Sequence, residues 1–214
     1  MKRFILPLLV LLFVGSLFAV ESAPSEVVGY VKYDLVAGNN TIALPMSHSY
    51  AMAGDVGNAI GSTSVGYYNS ATQLWTIANK TMFGTWTNNY AISVGQPLLV
   101  GVASASTFYS IGDLPETEPV YSLVNGNNTV MVPLSKSDLT TSALVGANIP
   151  GAGSVGFFNS ATQLWTISNK TMFGTWTNTF ATAIGDPLLI GTNTAGTWPA
   201  VETREIPTSS RSTK

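Results

Sequence analysis

The sequence predicts a mainly β protein made of two tandem homologous domains, each a β-sandwich or barrel-like unit with one short helix. First, the 24-residue block at 65–88 recurs at 155–178, with only three differences. Such self-similarity at a fixed offset is typical of two copies of one structural unit. Second, short apolar and aromatic runs alternate with Gly, Asn and Pro about every 8–12 residues, which is the spacing of sandwich and barrel strands.

The repeat continues on both sides of this block with lower fidelity. Residues 35–45 match 123–133 at seven of eleven positions, and 89–101 match 179–191 at six of thirteen. Most substitutions in these flanks exchange one apolar residue for another, which a shared core tolerates. The higher fidelity of the block has two explanations, a surface that both copies must present or a recent gene conversion.

The elements of each copy follow from local patterns. The predicted strands of the first copy are 27–33, 41–44, 67–68, 73–77, 85–87, 90–93, 97–102 and 107–111, separated by turns at 37–40, 69–72 and 79–84. Apolar spacing predicts a short helix at 52–60 and another at 141–149, the second with Ser137-Asp138 as its cap. The predicted domains are 27–111 and 120–201, joined by an acidic, proline-containing, solvated linker at 112–119 and followed by a disordered tail at 202–214.

The first 19 residues predict a secretory signal peptide. Lys2 and Arg3 precede the apolar run at 4–13, and small residues lead to a cleavage site after Ala19. We therefore expect a secreted protein, placed outside the cell, on the cell surface or in the periplasm. The chain has no cysteine, so no disulfide can stabilise it. No later segment has the ~20 apolar residues of a membrane-spanning helix.

Charge is scarce and excludes one class of partner. Only 9% of the residues are charged, against about 25% in ordinary soluble domains. Without Lys2 and Arg3, seven of the nine basic residues remain against eleven acidic ones, a net charge of −4. Binding to nucleic acid would require a basic surface. A surface with so little charge instead favours association with other copies or with a neutral polymer.

The sequence gives no sign of catalysis, and we predict neither an enzyme nor a cofactor. His48 is the only histidine, and Lys136 stands at the matching position. With one histidine and no cysteine, the chain lacks a cluster of His and Cys metal ligands. It also lacks the Gly-x-Ser-x-Gly motif of hydrolase nucleophiles. No carboxylate occupies the same position in both copies, so a duplicated acid/base pair or calcium cage is not expected.

Aromatic residues are the remaining candidates for binding. Trp75 and Trp165 each stand inside a predicted strand with the sequence Leu-Trp-Thr-Ile. An apolar strand interior favours a place in the core for both rings. Trp86 and Trp176 stand between threonines near turns, where a ring could stack on a sugar. The alternatives are that these rings also fill the core and that the nearby lysines are merely solvated. The candidate ligand-binding residues are Trp86, Trp176, Lys80 and Lys170.

The order of motifs resembles a family of secreted repeat proteins. Asn40-Thr-Ile-Ala-Leu-Pro45 is followed by a short helix, an aromatic strand ending in Asn, Thr-Gln-Leu-Trp, Gly-x-Trp and Gly95-Gln-Pro-Leu-Leu-Val-Gly101. This arrangement is similar to the tandem β-repeats of secreted and cell-surface proteins from anaerobic bacteria. The resemblance implies an extracellular place and a bacterial source, and it brings no catalytic residue with it.

These observations predict a secreted, non-enzymatic surface, matrix or self-assembling structural protein. The partners expected are other copies of the chain or a cell-surface polysaccharide. The alternative prediction is a bivalent carbohydrate-binding module that uses exposed tryptophans, since two linked sites on one polymer would gain avidity.

Overall fold

The computed structural model describes residues 28–200. The predicted signal peptide and the predicted tail lie outside the described residues. The described chain is mainly β, with two five-stranded antiparallel sheets and two short helices. The prediction of a mainly β chain with one helix in each copy is confirmed.

The two copies have the same order of elements. In the first copy these are β1 (Val28–Leu35), β2 (Gly38–Ile42), α1 (Ala53–Ile60), β3 (Ser62–Asn69), β4 (Leu74–Lys80), β5 (Trp86–Thr87), β6 (Leu98–Val102) and β7 (Ser106–Asp113). In the second copy they are β8 (Tyr121–Leu123), β9 (Gly126–Met131), α2 (Ser142–Asn148), β10 (Ala152–Asn159), β11 (Leu164–Lys170), β12 (Trp176–Thr177), β13 (Pro187–Thr192) and β14 (Gly196–Trp198).

Each copy combines one open sheet with one two-stranded ribbon. The sheets have the strand orders β2-β6-β3-β4-β5 and β9-β13-β10-β11-β12, so neither closes on itself. The ribbons pair the first strand of a copy with its last, β1 with β7 and β8 with β14. The longest edge strands of the sheets are β2 and β9, whose unpaired backbone groups need cover.

Each copy has its own hydrophobic core, to which the sheet, the helix and the ribbon all contribute. In the first core the sheet supplies Val65 and Val100, α1 supplies Val56, and the ribbon supplies Leu35 and Phe108. The sheet, helix and ribbon of the second copy contribute to its core in the same way, and the ribbon supplies the largest side chain, Trp198. The fully buried members of this second core include Val130, Val145, Val155, Leu188, Ile190 and Trp198.

Several element boundaries differ from the predicted ones. The turn expected at 37–40 ends earlier than predicted, because β2 already begins at Gly38. Asn40 closes the turn from within the strand: its Oδ1 accepts a hydrogen bond from Val36 N at 2.9 Å, and its Nδ2 donates to Val36 O at 2.8 Å. The strand expected at 90–93 is wrong, since only Ala91 pairs there, in an isolated bridge with Met52.

The helix caps also differ from the predicted ones. Ser137-Asp138 does not cap α2; Thr141 does, and its hydroxyl accepts a hydrogen bond from Leu144 N at 3.3 Å. At the start of α1, Asp55 accepts hydrogen bonds from the backbone of Ala51 and Met52 at 3.0 and 2.9 Å. A carboxylate at this position satisfies backbone donors that a helix leaves free at its N-terminus.

Candidate functional site

The structure brings the predicted binding residues together in two equivalent pairs. Lys80 and Trp86 face each other across β4 and β5, and Lys170 and Trp176 do so across β11 and β12. The Lys80 ammonium lies 5.8 Å from the centre of the Trp86 ring, within reach of a cation–π contact. All four residues therefore lie on the hairpin at one edge of each sheet.

The helix of each copy covers one side of the tryptophan in these pairs. A Cβ atom added at Gly57 would lie 2.2 Å from Cη2 of Trp86, and one at Gly54 would lie 2.8 Å from its Cδ1. The Trp86 ring is half-buried, and its Nε1 donates to Asn58 Oδ1 at 3.1 Å. Trp176 packs in the same way on Gly146. These rings thus belong to the helix–sheet contact, which leaves less of each ring for a sugar.

Trp75 and Trp165 do not lie in the core, and the prediction that they do is wrong. Both are half-buried and line a small cavity between the two copies, together with Pro97 and Pro187. Trp75 meets Tyr68 edge to face at 5.4 Å on the sheet face opposite Val65. The pattern Leu-Trp-Thr-Ile identifies the strand correctly, but the second face of this strand meets the other copy instead of a core.

A glutamine from each copy joins it to the edge strand of the other. Gln73 accepts a hydrogen bond from Asn127 N at 2.8 Å and donates one to Asn127 O at 2.9 Å. Gln163 forms the same pair of hydrogen bonds with Asn39, both at 2.9 Å. Because Asn39 lies on β2 and Asn127 on β9, each copy hydrogen-bonds to the backbone of one residue on the longest edge strand of the other.

The backbone around these glutamines is adapted to the contact. Gln73 and Gln163 have φ angles of 58° and 59°, a left-handed conformation that costs most residues about 1–2 kcal/mol. Their partners follow Gly38 and Gly126, and a Cβ there would lie 2.9 and 2.7 Å from the glutamine oxygen. These turns have the same sequence and the same backbone conformation in both copies, which places the two glutamine side chains equivalently.

Two tyrosines also form equivalent hydrogen bonds from each copy to the other. The Tyr33 hydroxyl donates to Gly185 O at 2.9 Å, and the Tyr121 hydroxyl donates to Gly95 O at 2.7 Å. Burial raises the pKa of both hydroxyls, so they remain protonated donors. Together with the glutamine contacts, these hydrogen bonds give the two copies approximate two-fold symmetry. Each contact that a residue of the first copy makes with the second copy is made again by the equivalent residue of the second copy with the first.

The largest exposed apolar residues lie in the five-residue loops that follow β4 and β11. Met82 and Phe83 are 92% and 86% exposed, and Met172 and Phe173 are 91% and 86% exposed. We call the loops 81–85 and 171–175 the two tips. An exposed Met beside an exposed Phe in each copy makes the two tips candidates for a contact surface.

Each tip has a defined conformation that holds its apolar pair outward. In the first tip, Thr81 N donates to Thr85 O at 2.7 Å, Gly84 N donates to Thr81 O at 3.0 Å, and the two threonine hydroxyls are 2.8 Å apart. Gly84 has a φ of +81°, which favours glycine. The second tip has the same distances. Both loops therefore present the same surface.

The tips lie far from the contact between the copies. Gln73, which binds the other copy, immediately precedes β4, and the first tip immediately follows this strand. Seven residues of strand separate them, or roughly 20 Å. The second tip stands in the same relation to Gln163 across β11. The approximate symmetry thus gives the pair two identical tips, each about a strand length from the joint.

The tips are absent from the candidate residues predicted from the sequence, although the sequence carries a signal for them. The predicted turn at 79–84 contains Met82-Phe83 before Gly84, and a solvated turn exposes two such large apolar side chains.

Over residues 28–200, no group of three His, Asp or Glu side chains is placed to hold a metal ion. In the same range, no helix is both long enough and apolar enough to cross a membrane. Comparison of the chain with protein-family models, curated proteins and solved structures gave no match.

Proposed function

We propose that the chain is a secreted structural protein that assembles with other copies of itself by tip-to-tip contact. The observation that carries this proposal is the pair of identical tips, each with a Met and a Phe almost fully exposed. The secretion signal expected from the sequence and the lack of an expected catalytic site agree with a structural role.

The number of tips favours an extended assembly. A chain with one self-complementary patch forms dimers, whereas a chain with two can bind a neighbour at each. The hydrogen bonds of Gln73 and Gln163 fix the two tips relative to each other. Repeated tip-to-tip contact would then produce a linear chain of molecules.

The chemistry of the tips fits another tip as the partner. Apart from Lys80 and Lys170, no charged residue occurs in the block that carries each tip. A contact centred on Met and Phe therefore brings together apolar surfaces with little charge to desolvate. A protein of low net charge adds little repulsion between copies.

The size of the tips sets the strength of the contact. A phenylalanine buries about 150–250 Å², so two Met-Phe pairs bury well under the ~1,600 Å² of a standard interface. Each contact is accordingly weak, and we expect assembly to depend steeply on concentration. Such behaviour suits a protein that accumulates outside the cell.

The experiment removes the apolar rings from both tips. We expect the mature chain to form species larger than a dimer as its concentration rises in sedimentation velocity, and the variant Phe83→Ser/Phe173→Ser to remain monomeric. The matched control is Thr87→Ser/Thr177→Ser, which changes exposed strand positions beside the tips and should assemble like the wild type.

Two outcomes would overturn the proposal. One is a wild-type chain that stays monomeric at every concentration tested. Binding of such a monomer to lipid vesicles through its tips would contradict the proposal in the same way. The other is a tip variant that assembles as well as the control. Circular dichroism of each variant would establish that its fold is intact.

A further inference from the structure

A cleft lies between the two copies on the side where the first copy contributes the end of β3 and the second contributes β8. Its volume is about 380 Å³, within the range of roughly 300–1,000 Å³ typical of small-molecule sites. The first copy lines it with Tyr67, Tyr68, Ser93 and Gln96, and the second lines it with Tyr121 and Ser122 among others. The cleft therefore exists only because the copies are paired.

Some residues of the first copy that line this cleft carry a hydroxyl that their counterparts in the second copy lack, whereas the neutral Gln96 stands where the second copy has Asp186. Tyr67 and Tyr68 correspond to Phe157 and Phe158, and these are two of the three differences in the 24-residue block. Outside the block, Ser93 corresponds to Ala183. Of these hydroxyls, that of Tyr68 donates to Gln73 Oε1 at 3.1 Å, so those of Tyr67 and Ser93 are the ones left for a ligand.

The Tyr67 hydroxyl is not needed for packing. The Tyr67 ring meets Tyr90 edge to face at 4.6 Å, and the corresponding rings Phe157 and Phe180 meet at 4.9 Å without any hydroxyl. Within residues 28–200, the Tyr67 hydroxyl makes no hydrogen bond to another residue. It is therefore free to bind a molecule in the cleft.

Further polar groups around the cleft are equally free. Gln96 uses its oxygen to accept a hydrogen bond from Ser93 N at 3.0 Å, while its amide Nε2 has no partner in the described chain. The side-chain hydroxyls of Ser93 and Ser122 also lack partners there. The cleft thus offers several hydrogen-bonding groups beside aromatic rings.

No Asp, Glu, Lys or Arg side chain lines the cleft. A charged ligand would lose its hydration without gaining an opposite charge, which is unfavourable. A purely apolar ligand would leave the hydroxyl and amide groups without partners, at about 1–3 kcal/mol for each buried group. The lining suits a neutral ligand that carries many hydroxyls and has an apolar face.

We propose that this cleft binds a neutral saccharide of one or two sugar rings. In this arrangement the Tyr67 hydroxyl and the Gln96 amide hydrogen-bond to sugar hydroxyls, and the ring of Tyr68 contacts the apolar face of the sugar. The site differs from the predicted pairs of Trp86 and Trp176, because it occurs at the joint of the copies and is built by both.

The experiment titrates the full mature chain, labelled with ¹⁵N, with cellobiose, maltose and N,N′-diacetylchitobiose, and follows backbone amide shifts by NMR. We expect at least one of these neutral disaccharides to shift residues of the cleft. The variant Tyr67→Phe/Gln96→Asp gives the cleft the residues of the second copy, which the fold already accepts. We expect at least tenfold weaker binding by this variant and by a charged sugar such as galacturonic acid in the wild type.

Tyr109→Phe, a change at an exposed tyrosine of β7, is the matched control and should leave the affinity unchanged. The proposal is overturned if none of the three disaccharides shifts the cleft, if the shifts centre on Trp86 or Trp176, or if the cleft variant binds as tightly as the control. Titration of the variant Phe83→Ser/Phe173→Ser separates this site from the tips, because loss of assembly should leave saccharide binding intact.

Discussion

Replacing Trp198 with alanine is expected to lower the free energy of unfolding by about 3–5 kcal/mol, the usual cost of removing a large buried aromatic ring. Trp198 is 2% exposed and is the largest fully buried side chain of the described residues. Its ring stacks on Tyr121 at 6.2 Å, and its Nε1 donates to Asn148 Oδ1 at 2.7 Å. Because Asn148 is exposed, water can replace that hydrogen bond, and lost packing dominates the effect.

Urea denaturation followed by circular dichroism measures this change. Thr197→Ala alters the exposed neighbour of Trp198 on β14 and should shift stability by less than about 0.5 kcal/mol. Trp198→Phe should cost markedly less than alanine, since Phe108 fills the equivalent position of the first copy. An alanine variant as stable as Thr197→Ala would mean that β14 does not close the second core.

Replacing Gly112 with alanine should also destabilise the fold, by about 1–3 kcal/mol, because the new methyl group overpacks its site. A Cβ at Gly112 would lie 1.8 Å from the backbone oxygen of Ser47. Ser47 cannot simply move away, since its N–H donates to Asp113 O at 2.9 Å. Relief of the clash therefore disturbs the end of β7 or the loop that contains Ser47.

The matched control is Gly153→Ala. A Cβ at Gly153 would have only Gly191 O within reach, at 3.9 Å, and the first copy carries Thr63 at the corresponding position. Comparison of the two variants in the same denaturant series isolates the effect of the close approach. If Gly112→Ala proved as stable as the control, residues 112 and 113 would behave as the solvated linker that the sequence predicts.

That linker shows where sequence reasoning failed. Two prolines and three carboxylates at 112–119 predict a linker over these eight residues, yet β7 continues through Gly112 and Asp113. Composition reports how polar a segment is and gives no sign that Gly112 lies against a backbone carbonyl. Gly112 pairs with Gly29 of β1, which lies 83 residues earlier in the chain.

What repeats in the sequence could be predicted well. The duplicated block predicts two equivalent units, and the spacing of apolar residues at 52–60 places a helix within one residue of α1 (Ala53–Ile60). These features depend on local sequence patterns, and each pattern occurs in both copies. The mainly β class follows for the same reason.

Features that depend on the contact between the two copies could not be predicted from the sequence. Gln73 reads as an ordinary turn residue, and only the fold shows its amide against Asn127. The positions of Trp75 and Trp86 also depend on the fold, since Trp75 lines a cavity between the copies and Trp86 packs on the glycines of the helix. The cleft at Tyr67 also requires both copies, so a search within one repeat cannot find it.

The measurement that tests self-assembly most directly is sedimentation velocity of a chain with one tip removed, Met82→Ser/Phe83→Ser. With its second tip intact, this variant has one self-complementary patch, and the account predicts dimers as its largest species at concentrations where the wild type forms longer assemblies. Met172→Ser/Phe173→Ser should behave in the same way. Assemblies of wild-type size from either single-tip variant would contradict tip-to-tip assembly.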